Sequence, residues 1–247
     1  MPASHAPGVL YLIPNALGAG ALHTVLPAQT SVIAARLDCF IGENAKSTRA
    51  FLKRVGEVTP LHHALQDIAI CELRVGTHRD ELPRMLEPIA AGRDAGLVSE
   101  AGCPAVADPG AELVRLAHLR GVPVRPLVGP SAILLALMAS GLDGQRFAFN
   151  GYLPIDSAQR VRAIRDCERR SANERQTQIF IETPYRNRIL LSALAETCAP
   201  ATSICVATDL TLETESIATR PARAWRSSKI DLEKRPTVFL LLASPGS

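Results

Sequence analysis

A loop rich in small residues, prolines and acids is the first feature of the chain that could hold a ligand. It covers Ser99–Gly110 and has the sequence SEAGCPAVADPG. Glycine and alanine allow a ligand to approach the backbone closely, and proline restricts the flexibility of the loop. The carboxylates of Glu100 and Asp108 could accept hydrogen bonds from hydroxyl or amino groups. A tight connection whose acids only cap the next helix has the same composition, so both interpretations stay open.

A second segment with binding potential is LVGPSA, residues 127–132. A predicted strand ends there, the chain turns at Gly129 and Pro130, and a predicted helix begins. The first N–H groups of a helix have no intrahelical partner. Together with the Ser131 hydroxyl they could bind a carboxylate or the edge of an adenine. The alternative is an ordinary serine N-cap.

Common nucleotide-binding, hydrolase and metal motifs are missing. The first predicted strand is followed by NALGAG, which does not match GxGxxG, and neither GxxxxGK[ST] nor GxSxG occurs. These absences disfavour a P-loop NTPase or an α/β-hydrolase. The six cysteines form no CxxC pair and no ligand cluster with the six histidines. His62 and His63 are adjacent, so on a helix they do not face one way. We expect reduced thiols and no metal site.

Six arginines are concentrated between residues 160 and 175, where three acids partly balance them. The acids are Asp166, Glu168 and Glu174. A solvated helix face with ion pairs is the commoner explanation of such a pattern. A surface that contacts the phosphates of RNA is the alternative. The arginines are Arg160, Arg162, Arg165, Arg169, Arg170 and Arg175.

The two loops and the arginine-rich segment lie between short apolar runs that alternate with amphipathic segments. This alternation predicts an α/β fold. The N-terminal part has strand-like segments at 9–13, 39–41, 96–99 and 122–127, and a further β-rich segment at 31–35. Its helices are predicted at 47–55, with Ser47 as the cap, and at 81–91 and 111–119. An apolar helix follows at 132–140. The C-terminal part has a strand plus linker at 147–154, strands at 178–182, 203–208 and 236–243, and helices at 156–175 and 187–197, with more antiparallel pairing.

The length and composition are those of a globular protein. The chain has 247 residues, of which 47% are hydrophobic and 21% charged, which excludes a disordered or fibrous protein. The longest apolar run, 131–142, is shorter than the roughly 20 residues of a membrane span. The N-terminus has no basic region of the kind that begins a signal peptide. We therefore expect a cytoplasmic protein without a membrane anchor. The net charge of +3 permits an anionic partner without requiring one.

The run 97–154 resembles the tetrapyrrole methylase superfamily, and most closely its branch that methylates the ribose of a cytidine in small-subunit ribosomal RNA. That branch typically reads LVSDAGTPLISDPG, then PGPSA, then GFLP. This chain has LVSEAGCPAVADPG, then VGPSA, then GYLP. Its IFIETPYR, residues 179–186, is similar to the family's IFYESPHR, and its first strand, LYLIP, is similar to the start of LYLVPTPIGN.

The resemblance implies two α/β domains, 1–128 and 129–247, with S-adenosylmethionine (SAM) bound in a cleft between them, and usually a homodimer. By position, the end of the first strand and the Gly/Pro-rich loop would contact the methionine and ribose side of the cofactor. The turn before the apolar helix and several C-terminal positions would complete its contacts. The implied cofactor-binding residues are Pro14, Glu100, Ala101, Gly102, Cys103, Val106, Ser131, Ala132, Thr183, Leu210, Pro236 and Thr237.

Other motifs of the branch are altered here. Its TPIGN is replaced by NALG, its EDTR by ENAK, its ARELTK by ATDLTL and the KGE before its last strand by KRP. Its HDHN element is absent. The motifs associated with the cofactor are therefore kept better than those associated with the substrate.

The resemblance implies methyl transfer, and a ribose hydroxyl would be the acceptor in the closest branch. A hydroxyl is a weak nucleophile that gains from a general base. Glu100, Glu182 and Asp209 are the candidate catalytic residues, in that order, although Glu100 fits a cofactor contact equally well. A small acceptor such as a tetrapyrrole is the first alternative, which Pro236 and Thr237 favour. A non-catalytic SAM-binding protein is the second.

Overall fold

The computed structural model describes residues 6–244 of the chain. These residues divide into two compact units, with the boundary between residues 131 and 132. The sequence analysis set this boundary after residue 128. Each unit is built on a five-stranded sheet of its own, and the α/β fold class is confirmed.

The N-terminal unit contains a fully parallel sheet in the order β3-β2-β4-β1-β5. Short, mostly buried apolar strands of this kind are typical of parallel sheets that helices cover on both faces. The register places Ile13 beside Val98, so β1 and β4 end together. The strands are β1 (Leu10–Ile13), β2 (Cys39–Gly42), β3 (Ala69–Glu72), β4 (Ala95–Val98) and β5 (Val124–Pro126).

The helices of this unit pack on opposite faces of the sheet. They are α1 (Ala28–Arg36), α2 (Ala45–Val58), α3 (Leu82–Ala90) and α4 (Gly110–Leu119). Residues of α1 and α2 share a core cluster with Tyr11 and Ile13, whereas residues of α3 and α4 share one with Leu10 and Leu97. Successive side chains of a strand point to opposite faces. The chain that leaves β1 therefore turns to one face of the sheet, and the chain that leaves β4 turns to the other.

Two local predictions in this unit are wrong. The β-rich segment 31–35 lies in α1, because its buried residues recur at helical spacing against α2 and the core. Tertiary packing here overrides the strand preference of Val32 and Ile33. Ser47 is not the cap of α2. The side chain of Asn44 is the cap, and its oxygen accepts from the amides of Lys46 (2.8 Å) and Ser47 (3.3 Å).

The C-terminal unit contains a mixed sheet in the order β6-β7-β10-β8-β9. Only β6 and β7 are parallel, and the other three pairings are antiparallel, as the sequence predicted. The strands are β6 (Phe147–Phe149), β7 (Thr177–Ile181), β8 (Ser203–Thr208), β9 (Ser216–Pro221) and β10 (Thr237–Leu242).

The described part of this unit, residues 132–244, contains the helices α5 (Ala132–Ser140), α6 (Ser157–Glu174), α7 (Asn187–Thr197) and α8 (Ala222–Trp225). Residues from α6, α7 and α8 form one core cluster with the buried Phe180 and Phe239. Helix α5 contacts β8, β9 and β10, and its Ser140 carbonyl accepts from the Thr219 hydroxyl at 2.7 Å. Because β7 and β8 are both antiparallel to β10 and β6 is parallel to β7, the loops at the carboxyl ends of β6, β7 and β8 lie at one edge of the sheet.

The sequence analysis missed two strands and placed most of the others correctly. The missed strands, β3 and β9, lie at sheet edges and are only partly buried, so neither carries a long apolar run. All six cysteines are free thiols. Within residues 6–244 no helix is long and apolar enough to cross a membrane.

Candidate active site

The carboxyl ends of β1 and β4 form the point in the N-terminal unit where the connections of the sheet diverge. Ligands of open α/β sheets bind at such points, because the loops of two neighbouring strands leave toward opposite faces. Here the two loops are joined by a short antiparallel bridge. The Asn15 amide donates to the Gly102 carbonyl (2.9 Å), and the Gly102 amide donates to the Asn15 carbonyl (3.1 Å). The predicted cofactor loop is therefore attached directly to the end of the first strand.

The Asn15 side chain holds the start of the β4 loop in place. Its amide nitrogen donates to the carbonyls of Ser99 (3.2 Å) and Glu100 (3.1 Å), and its oxygen accepts from the Ala16 amide at 2.8 Å. The Ser99 hydroxyl donates to the Gly102 carbonyl at 3.0 Å. Both side chains are buried, where an unpaired polar group is costly, so this network fixes the backbone of the loop.

The β5 loop packs against the same place. A Cβ on Gly129 would lie 2.3 Å from Cβ of Pro14, so only glycine permits this approach. The Cys103 thiol contacts the Pro130 carbonyl at 3.5 Å. Burial raises the pKa of this thiol, which favours a packing role over a nucleophilic one. The structure thus brings together Pro14, the β4 loop and the segment that leads to Ser131, all predicted to contact the cofactor.

The middle of the β4 loop has an unusual backbone. Gly102 has φ +71°, and two alanines also have positive φ, Ala105 (65°) and Ala107 (61°). An alanine in the left-handed region costs about 1–2 kcal/mol. The Asp108 carboxylate stabilises this path, because it accepts from the amides of Ala105 (2.9 Å) and Gly110 (2.7 Å). Burial raises the pKa of Asp108. Asp108 thus orders the loop and the start of α4. This is the alternative in which the acid of a tight connection only caps the next helix.

Glu100 is the exposed carboxylate of this loop. One of its oxygens accepts from the Ser47 hydroxyl at 2.6 Å, so α2 also contributes to the site. Glu43, between β2 and α2, is nearby. Burial raises the pKa of Glu43, and the negative charges of Asp108 and Glu100 act in the same direction, partly offset by a hydrogen bond from the Glu100 backbone. Within the described part of the chain, no cluster of acids, histidines and cysteines could hold a metal ion.

Glu182, the second candidate base, follows β7 in the C-terminal unit. Its Oε1 accepts from the Thr183 amide (2.6 Å) and from Nε (3.0 Å) and Nη2 (2.6 Å) of Arg186. The side chain of Glu182 is 4% exposed. The carboxylate thus shapes the turn that presents Thr183, which is itself exposed.

Asp209, the third candidate base, follows β8 and also forms an ion pair. Its Oδ2 accepts from Arg235 Nε and from the Thr214 hydroxyl, each at 2.8 Å. Its backbone amide donates to the Pro236 carbonyl at 2.9 Å. With φ 52°, Asp209 adopts the left-handed conformation. These bonds join the β8–β9 loop to the segment that enters β10.

The predicted contacts Leu210, Pro236 and Thr237 lie in these same loops. Leu210 and Thr237 are buried, whereas Pro236 is exposed. Asn187, at the start of α7, donates from its amide nitrogen to the Arg235 carbonyl (2.7 Å) and to the Thr237 hydroxyl (3.2 Å). Thus Thr183, Leu210, Pro236 and Thr237 lie at one edge of the second sheet, in loops held by polar side chains.

Sequence reasoning missed several of the residues that support these loops. Asn15 and Ser47 in the first unit, and Asn187 and Arg235 in the second, act through contacts with residues far away along the chain. Arg186 was missed as well, although its partner Glu182 is only four residues away. One signal was available for Asn15, since a polar residue directly after a buried strand and a proline indicates a loop at the sheet edge. The roles assigned to the predicted cofactor-binding and catalytic residues remain predictions.

Known proteins are similar to this chain over most of its length. The ribosomal RNA small subunit methyltransferase I of Xylella fastidiosa is 32% identical over 213 residues, which cover 85% of this chain and 71% of that protein. Its counterpart in Mesorhizobium japonicum is 31% identical over 226 residues, covering 91% and 71%. The crystal structure of the methyltransferase CobJ matches with a TM-score of 0.63 and 19% identity, covering 97% of this chain and 95% of that one.

A second solved structure, of diphthine synthase, matches with a TM-score of 0.63 and 15% identity over 96% of this chain and 90% of that one. At this identity the structural matches establish the fold alone. The family model of tetrapyrrole (corrin/porphyrin) methylases matches residues 23–224. That range includes the bridged β4 loop, the β5 turn and the loops after β7 and β8. The chain is therefore a methyltransferase that belongs to the tetrapyrrole methylase family.

Proposed function

We propose that this protein uses SAM to methylate a ribose 2′-hydroxyl of small-subunit ribosomal RNA. The observation that carries the proposal is the sequence identity of more than 30%, over most of the chain, to relatives named as ribosomal RNA small subunit methyltransferases. The bridged loops after β1 and β4 support a ligand site at the place where the resemblance puts the cofactor.

The residues of the β4 loop fit the chemical groups of SAM. When bound, SAM supplies an electrophilic methyl group on a sulfonium centre. Within residues 6–244, the amide N–H groups of Ala101 and Cys103 have no protein acceptor, so both could donate to a carboxylate. The exposed Glu100 carboxylate could accept from an amino group or a ribose hydroxyl. A Cβ on Gly102 would lie 3.3 Å from the Leu17 side chain and 3.6 Å from the Pro130 carbonyl, so there is little room for a side chain at this position.

The other proposed cofactor contacts lie in loops of the N-terminal unit and in loops of the C-terminal unit. Val106 is exposed in the β4 loop, and Ser131 and Ala132 follow the β5 turn. Thr183, Leu210, Pro236 and Thr237 are kept as proposed contacts of the C-terminal unit. Most of the rate of methyl transfer is available from alignment of donor and acceptor and from exclusion of water. These loops are suited to alignment because their backbones are held by buried hydrogen bonds.

Among the three candidate bases, Glu100 has the surroundings best suited to proton transfer. Glu182 and Asp209 each accept hydrogen bonds from an arginine, and each fixes a loop. Glu100 is exposed, and its carboxylate accepts from the neutral Ser47 hydroxyl. We propose that Glu100 either accepts the proton of the ribose hydroxyl or holds the cofactor. The variant Glu100→Gln separates these roles, because loss of turnover with unchanged SAM affinity identifies the base.

The proposal extends to the setting of the reaction. We propose a homodimer, as the resemblance implies, and a cytoplasmic location, which agrees with a ribosomal substrate and with six free thiols. Sedimentation of the purified protein tests the dimer, and a monomer at micromolar concentration would contradict it.

Transfer to a small molecule is a second candidate, favoured by the match to the family model of tetrapyrrole (corrin/porphyrin) methylases. One experiment separates the candidates. An extract of the host lacking this gene is incubated with purified protein and methyl-labelled SAM, and label is counted in RNA, protein and small molecules. Label in small-subunit ribosomal RNA, recovered as an alkali-resistant dinucleotide, is the expected result, since a methylated 2′-oxygen cannot attack the neighbouring phosphate.

Label in the small-molecule fraction alone would overturn the RNA proposal and favour the second candidate. Binding of SAM without label in any fraction would favour a non-catalytic protein. The extract without added protein supplies the background, and the extract of the unmodified host shows whether the acceptor is already methylated there.

A further inference from the structure

Two tyrosines at one edge of the C-terminal sheet are exposed and take no part in the folded structure's hydrogen bonding. Tyr152, in the loop after β6, is 57% exposed, and Tyr185, in the loop after β7, is 78% exposed. Within residues 6–244 neither hydroxyl has a protein partner. Tyr11, the third tyrosine of the chain, is 4% exposed and accepts from Arg36 at 2.6 Å. Exposed aromatic side chains stand out in a chain with 4% aromatic residues.

The fold places the loops that carry Tyr152 and Tyr185 side by side. Strands β6 and β7 are parallel neighbours, so their carboxyl ends meet at the same edge. The Ile181 amide donates to the Gly151 carbonyl at 3.1 Å, directly before Tyr152, which ties the two loops together where they begin. Two isoleucines near these tyrosines in sequence, Ile155 and Ile189, are exposed as well. The edge therefore has an apolar, partly aromatic surface.

Helix α6 begins at this same edge and presents positive charge. Arg162, Arg165 and Arg169 recur at the spacing of one helix face, and all three are exposed. Arg169 is paired with Asp166. Arg162 and Arg165 have no hydrogen bond or ion pair within the part of the chain that the structure describes.

Glu168 and Asp166, the two acids of α6 nearest to these arginines in sequence, bond to other groups. The carboxylate of Glu168 turns away and accepts from the Ala199 amide at 2.8 Å and from the Thr202 hydroxyl. Asp166 is engaged by Arg169. This face of α6 therefore has one ion pair, between Arg169 and Asp166, and two guanidinium groups without a partner in the described residues, on the helix that begins shortly after the loop of Tyr152.

We propose that Tyr152, Tyr185, Arg162 and Arg165 form a surface that binds single-stranded RNA, with bases stacked on the tyrosines and phosphates contacting the arginines. This inference rests on the proposed RNA substrate and adds the surface that recognises it. Aromatic rings accept the face of any base, and a neighbouring basic groove follows the backbone. Side chains reach the bases of RNA mainly in unpaired loops, bulges and ends, where the bases are free to stack on aromatic rings. Charge complementarity favours RNA over a second copy of this chain, which has a net charge of +3.

The test measures binding of a short fluorescein-labelled single-stranded RNA by anisotropy at several salt concentrations. Tyr152→Ala and Tyr185→Ala should each weaken binding roughly 5- to 150-fold at every salt concentration, and the phenylalanine variants should bind as the original chain does. The double variant Arg162→Gln/Arg165→Gln should instead reduce the slope of log K against log salt by about 1.4, which is about 0.7 per phosphate contact on single strands.

Two matched controls show whether any surface change has these effects. Leu119→Ala removes an exposed apolar side chain from α4. Arg223→Gln removes an exposed arginine from α8. Both should leave RNA affinity and the salt slope unchanged. All variants should retain the SAM affinity of the original chain, measured by calorimetry, because none of these residues belongs to the proposed cofactor site.

Several outcomes overturn the inference. If the chain methylates ribosomal RNA but the tyrosine and arginine variants bind RNA as tightly as before, the surface is not used and the proposed function stands. If the variants dissociate a dimer, the surface is an interface between copies. If the unmodified chain binds no RNA even at low salt and labels only small molecules, the inference and the proposed RNA substrate fail together.

Discussion

Gly102 provides the sharpest test of the cofactor loop, because a matched glycine exists elsewhere in the same unit. Gly102 has φ +71°, and Gly121, after α4, has φ +67°. An added Cβ on Gly102 would lie 3.3 Å from Leu17 and 3.6 Å from the Pro130 carbonyl, whereas one on Gly121 meets nothing within 4 Å. The variants Gly102→Ala and Gly121→Ala therefore share the backbone strain and differ in location and crowding.

The expected loss of folding stability is similar for both variants. An alanine in the left-handed region destabilises the folded state by about 1–2 kcal/mol. Alanine also has less conformational freedom than glycine in the unfolded chain, which offsets about 0.4–1 kcal/mol of this loss. A net loss of about 1 kcal/mol corresponds to a fall in Tm of about 2–4 °C for a protein of this size. Gly102→Ala should lose slightly more, because Leu17 must move by a few tenths of an ångström.

The two variants should differ in SAM affinity. A methyl group at residue 102 shifts the backbone on either side of it, and a lost hydrogen bond to a charged ligand costs about 1.5–3 kcal/mol. Gly102→Ala should therefore weaken SAM binding by about tenfold or more, while Gly121→Ala should bind SAM as the original chain does. Calorimetry measures the affinity, and thermal unfolding confirms that both variants are folded at the assay temperature. Equal SAM affinity in the two variants would refute the placement of the cofactor at the β4 loop.

Three further predictions concern the supports of the fold and of the site. Asn44→Ala removes the side-chain cap of α2 and should lower the free energy of unfolding by about 1 kcal/mol in urea titrations; no loss would assign the capping to other groups. Asp209→Asn should lower the free energy of unfolding by about 1.5–3 kcal/mol, because the half-buried guanidinium of Arg235 loses its carboxylate partner. The control variant Thr214→Val removes only a neutral partner of Asp209 and should lower this free energy less. The Arg93 guanidinium lowers the pKa of the Asp38 carboxyl, so this pair stabilises the fold above the ordinary aspartate pKa, and the contribution is lost as the pH falls through the lowered value. Asp38→Asn should therefore reduce stability by about 0.2–1 kcal/mol at neutral pH and make little difference in acid, as acid-to-neutral urea titrations would show; an equal difference at both pH values would contradict the pairing.

Local pattern was sufficient for most elements because their signals lie within a few residues. Helix α7, Asn187–Thr197, and strand β8, Ser203–Thr208, were predicted with the bounds that the structure shows. The short apolar runs of β1, β4 and β10 identified the interior of both sheets. The predicted strand in α1 failed because β-branched residues have a similar local signal in a buried helix and in a strand, and packing decides between them.

What the sequence determined by itself is the family and the loops that carry its motifs, because the order of small residues, prolines and acids in 97–154 is a local property. Only the tertiary structure decided how those loops are held. Asn15 and Gly102 are far apart along the chain, and their bridge forms because β1 and β4 are parallel neighbours. The same holds for the C-terminal unit, where Asp209 meets Arg235 across antiparallel strands and Glu168 turns away from the arginine face of α6. Hydrogen bonds between distant residues depend on strand order and helix packing, which residue spacing alone does not contain.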